Sequence, residues 1–257
     1  MNGEVSTSRS ISLAKMPNTR SLPRVLCLHG AGSSGDIYRV QGRKIFRALQ
    51  TEFRFVFVDA PFPSQAGPGM EPFLESGPFF RWQCDESATE AFDVAIDEVR
   101  KERELVCRLL VSELLIDEGG PVVGIASFSQ GARVATGLLH YIQQERQKGR
   151  KDLPDIRFAL INSGTYPPLF LQDTTDGEQC SVLAIAGVRP LNLPTLHLIG
   201  SNDPWKPESE KLLQDHYDTS SSTVINYSGG HQVPTLEKDV KRILDAVRKV
   251  AATGNVL

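Results

Sequence analysis

Gly124-Ile-Ala-Ser-Phe-Ser-Gln-Gly-Ala-Arg133 decides how this chain is read. A buried-looking apolar run, Pro121 to Ala126, leads into it, Ser129 stands at a sharp turn, and an Ala-rich helical pattern follows. Strand, tight turn and helix in that order lift a serine hydroxyl above the end of a sheet, provided small neighbours let the chain turn. Gly131 supplies one such neighbour two places after Ser129. Two places before it stands Ser127, where the commonest form has Gly, so the motif reads S-x-S-x-G. A serine that merely caps the following helix is the plainer reading. The surrounding segments have to choose.

Working outward, five more short apolar runs share the character of 121–126: Arg24–Leu28, Phe53–Val58, Phe158–Asn162, Thr195–Ile199 and Thr223–Tyr227. Each is dense in β-branched or large apolar residues and closes on Gly, Pro, Ser or Asp, which predicts strands. Continuous apolar runs suit strands covered on both faces, as in a parallel sheet. Helical spacing fills the gaps. Residues 90–116 carry Phe92, Ala95, Val99, Val106, Leu109 and Leu110; residues 130–147 carry Ala132, Ala135, Leu138, Leu139 and Ile142. A last helix is expected from near Pro234 through Val250. The charged run 97–104 reads as a solvated helix face with pairs such as Asp97 with Lys101. The expectation is an α/β fold: a mostly parallel central sheet of about six or more strands, flanked by helices. Its chemistry belongs beyond the carboxyl ends of the strands.

A serine is a weak nucleophile unless an adjacent base takes its proton, and that base needs an orienting acid. Of the five histidines, His197 lies inside a strand and reads as core, His140 and His216 read as surface positions on helices, and His29 reads as shaping the loop it enters. His231 alone sits in a Gly-rich loop after the last strand, Ser228-Gly-Gly-His-Gln232. Leu198-Ile-Gly-Ser-Asn-Asp-Pro204 offers Asp203 at an earlier strand end. Ser129, Asp203 and His231 thus follow successive strands in the order Ser…Asp…His of the α/β-hydrolase arrangement. His29-Gly-Ala-Gly32 adds backbone N–H groups at another strand end; the Ala31 N–H, with that of Gln130, is the expected oxyanion hole.

Gly30, Gly32 and Gly35 also satisfy G-x-G-x-x-G after a strand, with Asp59 closing the next one. A dinucleotide-binding oxidoreductase is therefore one alternative, and a non-catalytic α/β-hydrolase-like binding protein another. The oxidoreductase leaves the turns at Ser129, Asp203 and His231 unexplained.

Leu28 to Gln41, the strand exit Asp59-Ala-Pro-Phe-Pro63, Gly77-Pro-Phe-Phe-Arg-Trp82, Phe128-Ser-Gln-Gly-Ala132 and Gly229-Gly-His231 together resemble the FSH group of serine hydrolases over roughly residues 24–250. The likeness is greatest to fungal members that act as thioesterases or esterases in polyketide pathways, of the lovastatin product-release type. The resemblance implies an α/β-hydrolase fold, no cofactor and a triad of Ser129, Asp203 and His231. It departs at Ser127, where the group usually has Gly.

Residues 61–82 hold five of the sixteen prolines together with Phe62, Phe73, Phe79, Phe80 and Trp82. Segments 61–90 and 165–194 are read as a lid-like insertion and pocket walls, with Phe62, Phe79, Phe80, Trp82, Tyr166 and Trp205 as substrate-binding candidates. An apolar lining suits an acyl chain or polyketide, free or carried on a carrier protein.

With 257 residues, 40% hydrophobic and 23% charged, the chain suits one large domain, taken as residues 23–251 between tails at 1–22 and 252–257. The Ser/Arg-rich leading tail also leaves a transit peptide open. A net charge of −3 argues against nucleic-acid binding, and no apolar run of membrane-spanning length exists. Cys27, Cys84, Cys107 and Cys180 lie far apart without metal spacing, which points to reduced thiols, a cytoplasmic setting and no metal.

Overall fold

The computed structural model describes residues 22–83, 92–116, 119–171 and 189–257. Side chains are described from residue 99 onward in the helix beginning at Phe92, so the readings of Phe92, Ala95 and the Asp97–Lys101 pair lie outside the described residues, as do Cys84 and Cys180.

All six expected strands form: β1 (Arg24–Leu28), β2 (Arg54–Val58), β5 (Val122–Phe128), β6 (Phe158–Asn162), β7 (Thr195–Gly200) and β8 (Ser222–Tyr227). They make one sheet in the order β2-β1-β5-β6-β7-β8, and each neighbouring pair is parallel. β1, β5, β6 and β7 are buried along their whole length. This is why they read as unbroken apolar runs. A register shift opposite Arg24 and Val25 puts Val122 and Ile125 on one face of β5, Val123 and Ala126 on the other.

Helices α3 (Phe92–Leu115), α4 (Gln130–Gln147) and α5 (Lys206–His216) cover one face, where Val106, Leu110, Leu138 and Leu212 pack on Leu26, Leu28, Ile125 and Ile161. Helices α1 (Gly35–Gln41), α2 (Arg43–Ala48) and α6 (Glu237–Thr253) cover the other, where Tyr38, Phe46, Ile243 and Val247 meet Val25, Cys27, Leu160 and Leu198. Helix α6 starts at Glu237 behind an extended Leu236, three residues later than expected from Pro234. No described helix is long and apolar enough to cross a membrane.

Two short strands, β3 (Phe62–Ser64) and β4 (Phe79–Arg81), pair antiparallel inside the Pro-rich insertion. The sheet order places β1 beside β5 although β1 runs on to β2 at the opposite side. The loops after β1 and β5 therefore diverge from a common crevice, where α/β sheets place their chemistry.

Candidate active site

Ser129 joins β5 to α4 with φ 54° and ψ −122°, a conformation strained for any residue with a Cβ. Its N–H donates to the Asn162 carbonyl at 3.0 Å, and its own carbonyl accepts from the Ala132 N–H at 2.9 Å. Two glycines leave the turn room. A Cβ on Gly131 would stand 2.3 Å from the Leu28 carbonyl oxygen, and one on Gly30 3.1 Å from the Ser129 Cβ. Ser127 is fully buried and donates its hydroxyl to the Leu160 carbonyl at 3.2 Å. The side chain that departs from the usual Gly lies along the β5–β6 seam, away from the turn.

His231 Nε2 lies 2.7 Å from Ser129 Oγ, and His231 Nδ1 lies 2.9 Å from Asp203 Oδ2. Asp203 is buried, and its second oxygen accepts from the Trp205 N–H at 2.9 Å. A carboxylate can only accept, so the imidazole carries its proton on Nδ1 and turns the Nε2 lone pair toward the serine. The His231 loop is pinned from below: the Tyr227 hydroxyl lies 2.6 Å from the Gln232 carbonyl and 3.0 Å from that of Gly230. Burial raises the Tyr227 pKa to about 12, so it keeps its proton. Gly200 is needed because a Cβ there would stand 2.5 Å from the Gly230 oxygen. Phe128 and Trp205 flank the His231 ring at centroid distances of 5.1 and 4.5 Å.

The loop after β1 is clasped to the β3–β4 hairpin through main chain. Gly32 N–H donates to the Phe80 carbonyl at 2.8 Å, Phe80 N–H to Ser33 at 2.7 Å, and Gly67 N–H to Gly32 at 2.9 Å. Gly32 takes φ +63°, and a Cβ there would stand 2.1 Å from the Gly67 nitrogen. The close approach that Gly32 permits is thus made by protein backbone, which accounts for the G-x-G-x-x-G string without a dinucleotide phosphate. Gly35 N–H is taken by Asp59 at 2.7 Å. Among the described residues, the N–H groups of Ala31 and Gln130 have no protein acceptor.

The structure brings Ser129, Asp203 and His231 together, with Ala31 on the loop after β1 and Gln130 at the first position of α4. Trp205 stands against His231. Phe62, Phe79, Phe80 and Tyr166 are half-buried, and Phe62, Phe80 and Tyr166 pack against the core.

Trp82 corrects the reading as a substrate-binding residue. It is 0% exposed, its indole N–H donates to the His29 carbonyl at 2.8 Å, and its backbone N–H donates to Gln130 Oε1 at 2.8 Å. His140 and His216 are likewise not surface residues: they are 2% and 0% exposed and lie 3.3 Å apart, nitrogen to nitrogen, where α4 meets α5. His197 is core as expected. Among the described residues no cluster of His, Cys, Asp and Glu could hold a metal. The struts missed from the sequence are Tyr227, the Gln130 side chain and Trp82; the Gly77 to Trp82 string carried a resemblance signal but no hint of these contacts.

Comparison with known proteins follows the same lines. The family described as Serine hydrolase (FSH1) matches residues 18–243. Thioesterase FSL2 of Gibberella zeae is 41% identical over 234 residues, spanning 88% of this chain and 91% of its own. The dihydromonacolin L-(lovastatin nonaketide synthase) thioesterase of Aspergillus terreus is 32% identical over 265 residues, spanning 96% of this chain and 98% of its own. Among solved structures, acyl-protein thioesterase 2 of Zea mays superposes with a TM-score of 0.56 at 16% identity, covering 92% of this chain and 96% of that one. The crystal structure of esterase PE8 superposes with a TM-score of 0.55 at 20% identity, covering 90% and 93%. At those identities the two structures speak for the fold, an α/β-hydrolase.

Proposed function

Because the chain belongs to the serine hydrolase (FSH1) family, we propose that it cleaves an ester or thioester of an apolar acyl or polyketide substrate through an acyl-enzyme on Ser129. The carrying observation is the unbroken chain from Ser129 Oγ to His231 Nε2 at 2.7 Å and from His231 Nδ1 to Asp203 at 2.9 Å. In the first step His231 takes the serine proton as Oγ attacks the carbonyl carbon, and Asp203 stabilises the imidazolium that results. The Ala31 and Gln130 N–H groups receive the charge on the former carbonyl oxygen; such donors are worth roughly 3–4 kcal/mol each. The imidazolium then protonates the departing alcohol or thiol. Water, deprotonated by the same histidine, attacks the acyl-enzyme and releases the carboxylic acid with free Ser129.

The half-buried rings of Phe62, Phe79, Phe80 and Tyr166 support an apolar acyl pocket along the described residues 61–83 and 165–171; residues 84–90 and 172–188 of the two wall segments lie outside the described residues. The relative that carries a nonaketide synthase in its name supports a polyketide acyl group, free or delivered as a carrier-protein thioester. Free thiols at Cys27 and Cys107 support a reducing, cytoplasmic setting.

The test is labelling of the intact protein with a fluorophosphonate, followed by peptide mapping. The expected result is one adduct on Ser129, abolished in Ser129→Ala. A folded protein that takes no label, or takes it elsewhere, overturns the proposal and favours a non-catalytic binding protein.

A further inference from the structure

Trp82 and His29 hold the two halves of the proposed oxyanion hole in register, and neither is used by the mechanism above. One donor, the Ala31 N–H, belongs to the peptide unit whose carbonyl is that of Gly30. That carbonyl lies 2.7 Å from His29 Nδ1, while His29 Nε2 lies 3.0 Å from the Ala60 N–H. An amide N–H can only donate and a carbonyl can only accept, so these partners together fix one tautomer: proton on Nδ1, lone pair on Nε2. The ring is 0% exposed, and burial lowers its pKa to about 4, so it stays neutral at physiological pH. An amide whose carbonyl accepts a hydrogen bond is polarised and donates more strongly through its N–H. The His29 ring is therefore bonded to the far end of the peptide that faces the reacting oxygen.

Trp82 connects this half to the other. Its indole N–H takes the His29 carbonyl, its ring lies 5.3 Å from the His29 ring, and its backbone N–H takes the side-chain oxygen of Gln130, whose own backbone N–H is the second donor. One buried residue from the insertion thus touches both donor-bearing segments.

We propose that His29 and Trp82 are positioning residues of the oxyanion hole, His29 by bonding the Gly30–Ala31 peptide and Trp82 by tying it to Gln130. The proposal rests on the reading of Ser129 as nucleophile. It assigns a carbonyl-polarising role to a histidine that never exchanges its proton, and a strut role to a tryptophan whose bland alternative is core packing.

The test separates positioning from packing with a p-nitrophenyl octanoate assay on the full chain. In His29→Asn the side-chain amide N–H can still reach the Gly30 carbonyl; in His29→Gln the side chain can reach only the Ala60 side. The expected result is kcat within about tenfold of the parent for His29→Asn and about a hundredfold loss for His29→Gln, with KM unchanged in both: an untied Ala31 N–H stays present but out of place, and deleting a donor outright costs on the order of 10²–10³ in kcat. Trp82→Phe keeps the ring and loses the indole N–H, and is expected to lower kcat about tenfold at constant KM; it serves where the histidine variants do not fold. Affinity for a boronic acid that mimics the tetrahedral state should fall in parallel with kcat. Folded His29→Gln and Trp82→Phe variants with parental kcat, or with losses confined to KM, overturn the positioning role. Fluorophosphonate labelling of Ser129 keeps the two readings apart: with label on Ser129 and unchanged variants, positioning alone fails; with no label, both fail.

Discussion

The hydroxyl of Ser127 lies 3.2 Å from the carbonyl oxygen of Leu160 on the neighbouring strand, wholly out of solvent. The residue two places before Ser129 that looked out of place is bonded into the sheet. Ser127→Gly should therefore leave kcat within about twofold. It should lower stability by roughly 1–2 kcal/mol, from the lost hydrogen bond and the added chain entropy. Steady-state kinetics and urea melts check both; a tenfold change in kcat would assign Ser127 a part in shaping the turn.

Ser129→Ala should fold with an unchanged melting temperature and lose on the order of 10⁴–10⁶ in kcat. Asp203→Asn should lose on the order of 10³–10⁴, because an amide at this position can donate and favours the wrong imidazole tautomer. Parental rates in either variant would remove the triad.

Gly131 admits no side chain: the Leu28 and His29 carbonyl oxygens would stand 2.3 and 2.5 Å from a Cβ. Both are backbone atoms at the end of a buried strand and cannot swing aside. Gly131→Ala should cost about 3 kcal/mol or more, or fail to accumulate as folded protein. Soluble yield and thermal denaturation report it.

Four histidines other than His231 are buried, and burial lowers their pKa from 6.5 to about 4 for His29 and His216 and to about 3 for His140 and His197. Below pH 6.5 the unfolded chain binds protons that the folded chain refuses, so stability is complete above that pH and falls as pH drops toward 4. Each such histidine contributes about 1.4 kcal/mol per pH unit across that window. Urea midpoints at pH 7.5 and 5.0 should differ strongly, and His197→Gln should flatten the profile. A pH-independent midpoint would show these rings to be solvated.

The strands and the Ser129, Asp203 and His231 turns were legible because each is marked locally, by an unbroken apolar run and by the Gly, Pro or Asp that ends it. What escaped depends on partners far along the chain. Pro63 hid β3, since a proline-rich run reads as irregular until its pairing with Phe80 is seen. An aromatic residue in such a run looks like a pocket wall, and only the His29 carbonyl, 53 positions away, shows that the Trp82 indole points inward. His140 and His216 each resemble a polar helix face; their burial arises from α4 and α5 meeting 76 positions apart.

The main-chain clasp between Gly32 and Gly67 has a practical meaning for anyone wishing to retarget this scaffold. The β3–β4 hairpin is stitched to the Gly30–Ser34 loop by peptide bonds' own donors and acceptors, so the two behave as one part. A hairpin transplanted from a relative with different selectivity has to travel with the Gly30–Ser34 loop that it braces. Swapped alone, it would change substrate choice and turnover together.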